Sequence, residues 1–180
     1  YYVIGHFHYV VAPGTVLALL GGVYYWFPKA TGRKMNDLLG RIHFWGSFVS
    51  INVVFMPMFI QGLSGMNRRM ADGGAQYAMN QDVLFWNEVV SMGAWALGLF
   101  QIFFIFNFFR SIKKGEKVGA NPWQATTLEW SAPSPPPHGN FTTPPVVHRG
   151  PYEYSVPGST TDYDMQADDP NGPQAEPAKV

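Results

Sequence analysis

Up to Arg110 the chain alternates between long apolar runs and short polar ones. No Asp, Glu, Lys or Arg occurs from Tyr1 to Pro28, and the first formal charge is Lys29. As a helix rising 1.5 Å per residue, the run from Tyr1 to Phe27 would measure about 40 Å, more than the roughly 30 Å hydrocarbon core of a bilayer. A second run, from Ile42 to about Leu63, carries no charge, and a third, from about Val83 to Phe109, carries only Glu88. The pattern predicts three membrane-spanning helices at about 1–27, 42–63 and 83–109. Pro13 and Pro57 should kink the first and second, since proline removes a backbone donor and crowds the preceding turn. Membrane helices tolerate this where neighbours compensate. Gly14, Gly21 and Gly22 offer positions for close helix approach. Tyr24, Tyr25 and Trp26 before Pro28 and Lys29 read as an interfacial aromatic belt and a helix end.

The connections carry the charge. Pro28 to Arg41 holds Lys29, Arg33, Lys34 and Arg41 against Asp37, with Thr31-Gly32 as a turn signal. Met66 to Gln81 holds Arg68, Arg69 and Asp72, then Gly73-Gly74. Arg110, Lys113, Lys114 and Lys117 follow the third run. Two helices separate the first connection from this last basic cluster, so both lie on one side, the cytoplasm by the positive-inside rule. The Arg68-Arg69 loop and the start of the chain then lie outside, and the two arginines need another reason to be there.

Beyond Lys117 the pattern changes. Ser134-Pro135-Pro136-Pro137 and Thr143-Pro144-Pro145 favour extended structure, and 158–180 reads as disordered. The expected organisation is an all-α membrane region over 1–117 and an extended, polar, Pro-rich cytoplasmic tail over 118–180.

Composition narrows the function classes. The net charge is zero and there is no basic stripe, which gives no reason to expect nucleic acid. There is no Cys, which excludes disulfides, thiolate catalysis and Cys-ligated zinc from these residues. The sequence starts with Tyr in the middle of an apolar run and reads as a C-terminal piece of a longer protein.

Within the first run, His6-Phe7-His8 is the unusual feature. Ionisable side chains at membrane depth are costly and mark functional sites by default. Residues i and i+2 of a helix lie about 200° apart, so His6 and His8 point to opposite faces and cannot share one metal. If both are ligands, they serve two centres with Phe7 between them. Taken alone, the tripeptide is equally consistent with buried histidines hydrogen-bonded to neighbouring helices.

Several separated stretches resemble subunit I of the haem-copper oxidases, within it the bacterial cytochrome c oxidase branch. They are Tyr1 to Val10 around the His pair, Tyr25-Trp26-Phe27-Pro28, Arg41-Ile42-His43-Phe44-Trp45, Gly62 to Arg69, and Asn121 to Trp130. Ser134 to Pro137 and Arg149 to Tyr154 extend the resemblance to about residue 156. It implies the last three of twelve core helices. It implies that His6 is the axial ligand of a high-spin haem, and in that sense catalytic, and that His8 is one axial ligand of a low-spin haem. Phe7 would lie between the haems, and Arg68 and Arg69 would hold haem propionates, which suits planar bidentate guanidinium chemistry. The alternative for the arginines is a solvated pair with Asp72 as counter-ion.

The resemblance also implies two A-type haems, and a copper whose ligands lie upstream of Tyr1. Implied partners are the remainder of subunit I, subunits II and III, cytochrome c as electron donor and the lipid bilayer of the bacterial inner membrane. The implied activity of the parent is reduction of O2 to water coupled to proton translocation; this stretch alone should not perform it. A quinol oxidase of the same superfamily and a non-catalytic helical scaffold of a respiratory complex are the competing readings. His43, one step inside the second helix at the cytoplasmic end, reads as structural or interfacial. Glu88, placed about two turns inside the third helix, reads as snorkelling or bonded between helices.

Overall fold

The computed structural model describes residues 1–150, 152–153 and 164–169. Four α-helices account for the apolar runs: α1 (Tyr2–Val10), α2 (Ala12–Thr31), α3 (Asp37–Leu63) and α4 (Phe85–Lys114). Three stretches are long and apolar enough to cross a membrane: Tyr2–Thr31, Asp37–Leu63 and Asn80–Lys114. The expected all-α membrane architecture is therefore present, with four differences in detail.

The first run is two helices, not one kinked helix. Pro13 has no N–H to offer the Tyr9 carbonyl, and the helix breaks at Val11, whose N–H still reaches Phe7 O at 2.9 Å. At the other end α2 does not stop at Pro28 but runs through it to Thr31. Gly32 N–H closes the last turn on Pro28 O at 2.8 Å, and Gly32 then takes a positive φ of 67°. The second helix begins at Asp37, not Ile42, because the Asn36 side chain caps it by accepting from Leu39 N–H at 3.0 Å. The third extends to Lys114 and is preceded by a 3-10 helix over Ala78–Val83.

By internal contacts the chain divides into two units, Tyr1–Tyr25 with Met35–Gly115, and Trp26–Lys34 with Glu116–Val180. In the first, α3 packs along both α1 and α4. Close approach uses glycines other than those expected. Gly5 lies against Met58 Cβ and Phe55 O, each 3.2 Å from where a Cβ would sit. A Cβ on Gly62 would overlap the Tyr2 backbone, and one on Gly46 would overlap the Phe100 ring. Gly21, by contrast, meets open space among the described residues. Glycine content shows that a helix can approach, but not which face is used.

Polar side chains tie this unit together. His43 is buried, with Nε2–H donating to Gln101 Oε1 at 3.2 Å and Nδ1 accepting from Tyr24 Oη at 3.3 Å. The Gln101 amide in turn donates to Ser47 Oγ at 2.8 Å. Further along α4, Asn107 exchanges hydrogen bonds of 3.0 and 2.9 Å with the Asn36 backbone. The expectation of a structural His43 holds, and its partners join α2, α3 and α4. Glu88 lies in the first turn of α4, exposed, where the helix dipole favours an acid. No hydrogen bond joins it to another helix among the described residues.

The second unit contains the stretch expected to be an extended tail. It has little regular structure: β1 (Arg33–Lys34) pairs antiparallel with β2 (Glu116–Lys117), and a 3-10 turn covers Leu128–Trp130. Yet it is packed. Trp130 is 1% exposed, and buried Lys29 donates to the Ala120 and Ala132 carbonyls at 2.9 and 2.6 Å, its ammonium 5.1 Å from the Trp130 ring centre. The Asn121 amide brackets its own turn, donating to Ala125 O and accepting from Ala125 N–H. Of 158–180, residues 164–169 are not free chain: Gln166 N–H donates to Thr126 O at 3.0 Å and Gln166 O accepts from His148 N–H at 2.9 Å. The rest of that stretch, with Pro151 and Tyr154 of the Arg149–Tyr154 motif, lies outside the described residues.

Candidate functional site

The candidate site lies on α1 and on the loop that follows α3. Helix α1 is held at its start by the Gly62 approach and by Tyr1 N–H donating to Met66 O at 3.0 Å. This brings the beginning of the His-bearing helix to the end of α3, from which the Arg68-Arg69 loop departs. Both therefore belong to one end of the unit, as the charge pattern predicts.

His6 and His8 differ in surroundings, as opposite helix faces require. His8 is half-buried and faces α3, its ring stacked on Phe55 with centroids 5.0 Å apart and planes 17° from parallel. Its Nδ1 lies 2.7 Å from the Ile4 carbonyl. A carbonyl only accepts, so Nδ1 carries the proton and Nε2 keeps its lone pair. That tautomer is the one a metal-binding imidazole needs, with a backbone partner on the other nitrogen. His6 is exposed and has no hydrogen-bond partner among the described residues. Phe7 is also exposed, its ring edge-on to His8 at 5.2 Å. Tyr9 also packs on α3, donating to Asn52 Oδ1 at 2.9 Å.

The arginine loop is braced from within. Asp72 accepts from Gly74 N–H at 3.0 Å on one oxygen and from Gln76 N–H at 2.9 Å on the other. The bond from Gly74 chiefly holds its carboxyl below the usual carboxylate range, opposed by desolvation and aided to a lesser extent by the bond from Gln76. Underneath, Asn87 donates to Gly73 O at 3.1 Å and accepts from the buried Gln61 amide at 2.7 Å. Arg69 holds a positive φ of 65°, unusual for a side chain of its size. Asn67, Arg68, Arg69, Asp72, Gln76 and Tyr77 line a pocket of about 390 Å³. Both arginines are exposed, and among the described residues neither pairs with Asp72 or any other acid.

The structure thus supplies one free Nε2 on His8, an open imidazole on His6, and two guanidiniums without an anion. Among the described residues no three His, Cys, Asp or Glu side chains converge. Each histidine accordingly offers a single donor atom, which suits a metal already held by a macrocycle and suits poorly one bound by side chains alone. The residues fit haem on that chemistry. The i−4 carbonyl partner of His8, its Phe55 stacking partner and the Gln61–Asn87 brace were not identified from sequence. The first is implicit in the helix repeat; the other two depend on which helices meet.

Residues 1–96 match the family model described as Cytochrome C and Quinol oxidase polypeptide I. A cytochrome c oxidase subunit 1 of Synechocystis sp. is 47% identical over 156 residues, covering 87% of this chain and 27% of the relative. An alternative cytochrome c oxidase subunit 1 of Bradyrhizobium diazoefficiens is 40% identical over 171 residues, covering 94% of this chain and 29% of the relative. A cytochrome c oxidase subunit 1 of Thermostichus vulcanus is 42% identical over 156 residues, again 87% and 27%. The chain thus spans little more than a quarter of the length of these relatives. With the family match covering more than half of its residues, the chain belongs to the haem-copper oxidase subunit I family and is a multi-pass membrane protein.

Proposed function

We propose that the chain is the haem-ligating C-terminal part of a cytochrome c oxidase catalytic subunit. In this reading His6 would hold a high-spin haem through its imidazole. His8 would hold a low-spin haem through its free Nε2. Arg68 and Arg69 receive haem propionates. The observation that carries the reading is the pairing, at one end of the unit, of His8 locked in the Nε2-free tautomer with two arginines that have no acid of their own.

When bound, the haems, with a copper ligated outside this chain, supply the redox chemistry by which O2 is reduced to water. The residues present do the positioning. The Ile4 carbonyl holds the His8 proton on Nδ1 and leaves Nε2 free, and Phe55 limits rotation of the ring. Phe7 would lie between the two haems, its ring edge-on to His8 at 5.2 Å. Asp72, turned inward to its own loop amides, leaves the guanidiniums to carboxylates from outside. Cytochrome c as donor, subunits II and III as partners, coupled proton translocation, the bacterial inner membrane and a cytoplasmic C-terminal end belong to the same proposal. It rests on relatives called cytochrome c oxidase subunit 1 and on the basic connections sharing one side.

The test is a reduced-minus-oxidised and CO-difference spectrum of the assembled full-length protein. Low-spin and CO-reactive haem bands are expected. Absence of both would leave the scaffold reading. Turnover with quinol but not cytochrome c would move the protein to the quinol branch.

A further inference from the structure

One face of α4 near its C-terminal end carries a groove that the oxidase chemistry does not use. Ile102, Ile105, Phe106 and Phe109 line it, each more than half exposed, and Arg110 and Lys113 close one end; its volume is about 540 Å³. The spacings of three, four and seven residues put these side chains on one helix face. From Ile102 to Lys113 is about 16 Å of helix, about half the roughly 30 Å hydrocarbon core. The apolar part therefore has the depth of one leaflet, with both cations at the rim where headgroups lie. Neither Arg110 nor Lys113 has a hydrogen-bond or ion-pair partner among the described residues.

We propose that this groove binds one anionic phospholipid, an acyl chain lying along Ile102, Ile105, Phe106 and Phe109 and the phosphate between Arg110 and Lys113. A zwitterionic lipid meets the same apolar wall but carries its own ammonium to the cations, so charge decides the preference. Two exposed cations at a membrane surface together favour an anionic headgroup roughly tenfold or more.

The experiment is native mass spectrometry of the full-length protein in its detergent-solubilised complex, titrated with phosphatidylglycerol or phosphatidylcholine. The wild type should show one tight phosphatidylglycerol adduct and weaker phosphatidylcholine binding. Arg110→Gln with Lys113→Gln should weaken that adduct about tenfold and leave phosphatidylcholine unchanged, while Ile105→Trp, which fills the groove, should weaken both. Arg41→Gln, an exposed cation away from the groove, is the control for general surface charge. An adduct unchanged in the double variant overturns the proposal, whether the groove is covered by another segment or the cations are an ordinary positive rim. Equal loss in the Arg41→Gln control overturns it as well.

Discussion

At the residue scale, hydrogen-bond partners set the reading more than residue identity does. A histidine in a membrane helix can be a ligand or a structural group, and the engagement of its two ring nitrogens separates the cases. His43 has its two ring nitrogens engaged by Tyr24 and Gln101, whereas His8 has one engaged and one free. The arginines follow the same logic. Removing a positive charge near a haem carboxylate leaves the oxidised iron relatively more stable, so the potential should fall. Arg68→Ala and Arg69→Ala should each lower a haem midpoint potential by on the order of tens of millivolts without abolishing haem incorporation. Redox titration checks this, and unchanged potentials in both would return the arginines to the solvent-exposed alternative. Asp72 gives a pH prediction. Its carboxyl is held below its ordinary value of 3.8, so its stabilisation of the loop is full above that value and is lost as pH falls through the lower, folded-state value. Hydrogen exchange at the Gly74 and Gln76 amides should stay slow from neutral pH down to about 4. Below that, protection should be lost as the carboxyl protonates, and in Asp72→Asn it should be weaker than in the wild type at neutral pH.

At the element scale, the positions and order of the helices were legible in the charge-free runs, but their ends and contacts were not. A proline inside an apolar run signals disruption without saying where it falls. Pro13 breaks the helix two residues earlier, while Pro28 sits in the last turn with no break at all. Position near a helix end does not decide this, since α3 also runs on through Pro57. Contact faces are less legible still, because an apolar helix in a membrane has no polar side to orient it. Gly62 is the contact with the clearest consequence. Gly62→Val has no room beside the Tyr2 backbone and should displace α1. Pigment analysis of the full-length protein should then show loss of both haems together. Retention of both would mean that α1 is positioned by something other than this approach. His43→Leu should leave the Gln101 and Tyr24 polar groups short of partners and cost about 1–2 kcal/mol, read as a lower detergent or thermal midpoint with unchanged haem bands.

At the scale of the whole molecule, the contrast between an apolar first part and a Pro-rich second part was plain, but Pro-richness concealed packing. Trp130 and Lys29 are far apart in sequence, and nothing local marks Lys29 as the residue whose ammonium meets the Ala120 and Ala132 carbonyls. Trp130→Ala should destabilise that unit by about 3–5 kcal/mol, seen as faster limited proteolysis between residues 116 and 150. The site is legible in another sense: its chemistry is written in three adjacent residues, yet it is half of something larger. On the proposed reading, a chain spanning little more than a quarter of its relatives would hold each haem from one side, with the copper ligands supplied by the rest of the subunit. The central claim is that His6 and His8 serve two different haems. It is tested most directly by CO-difference and reduced-minus-oxidised spectra of the full-length protein carrying His6→Ala or His8→Ala. His6→Ala should remove the CO-reactive high-spin signal and largely keep the low-spin band, and His8→Ala should do the reverse. Loss of the same haem signal in both variants would contradict the account.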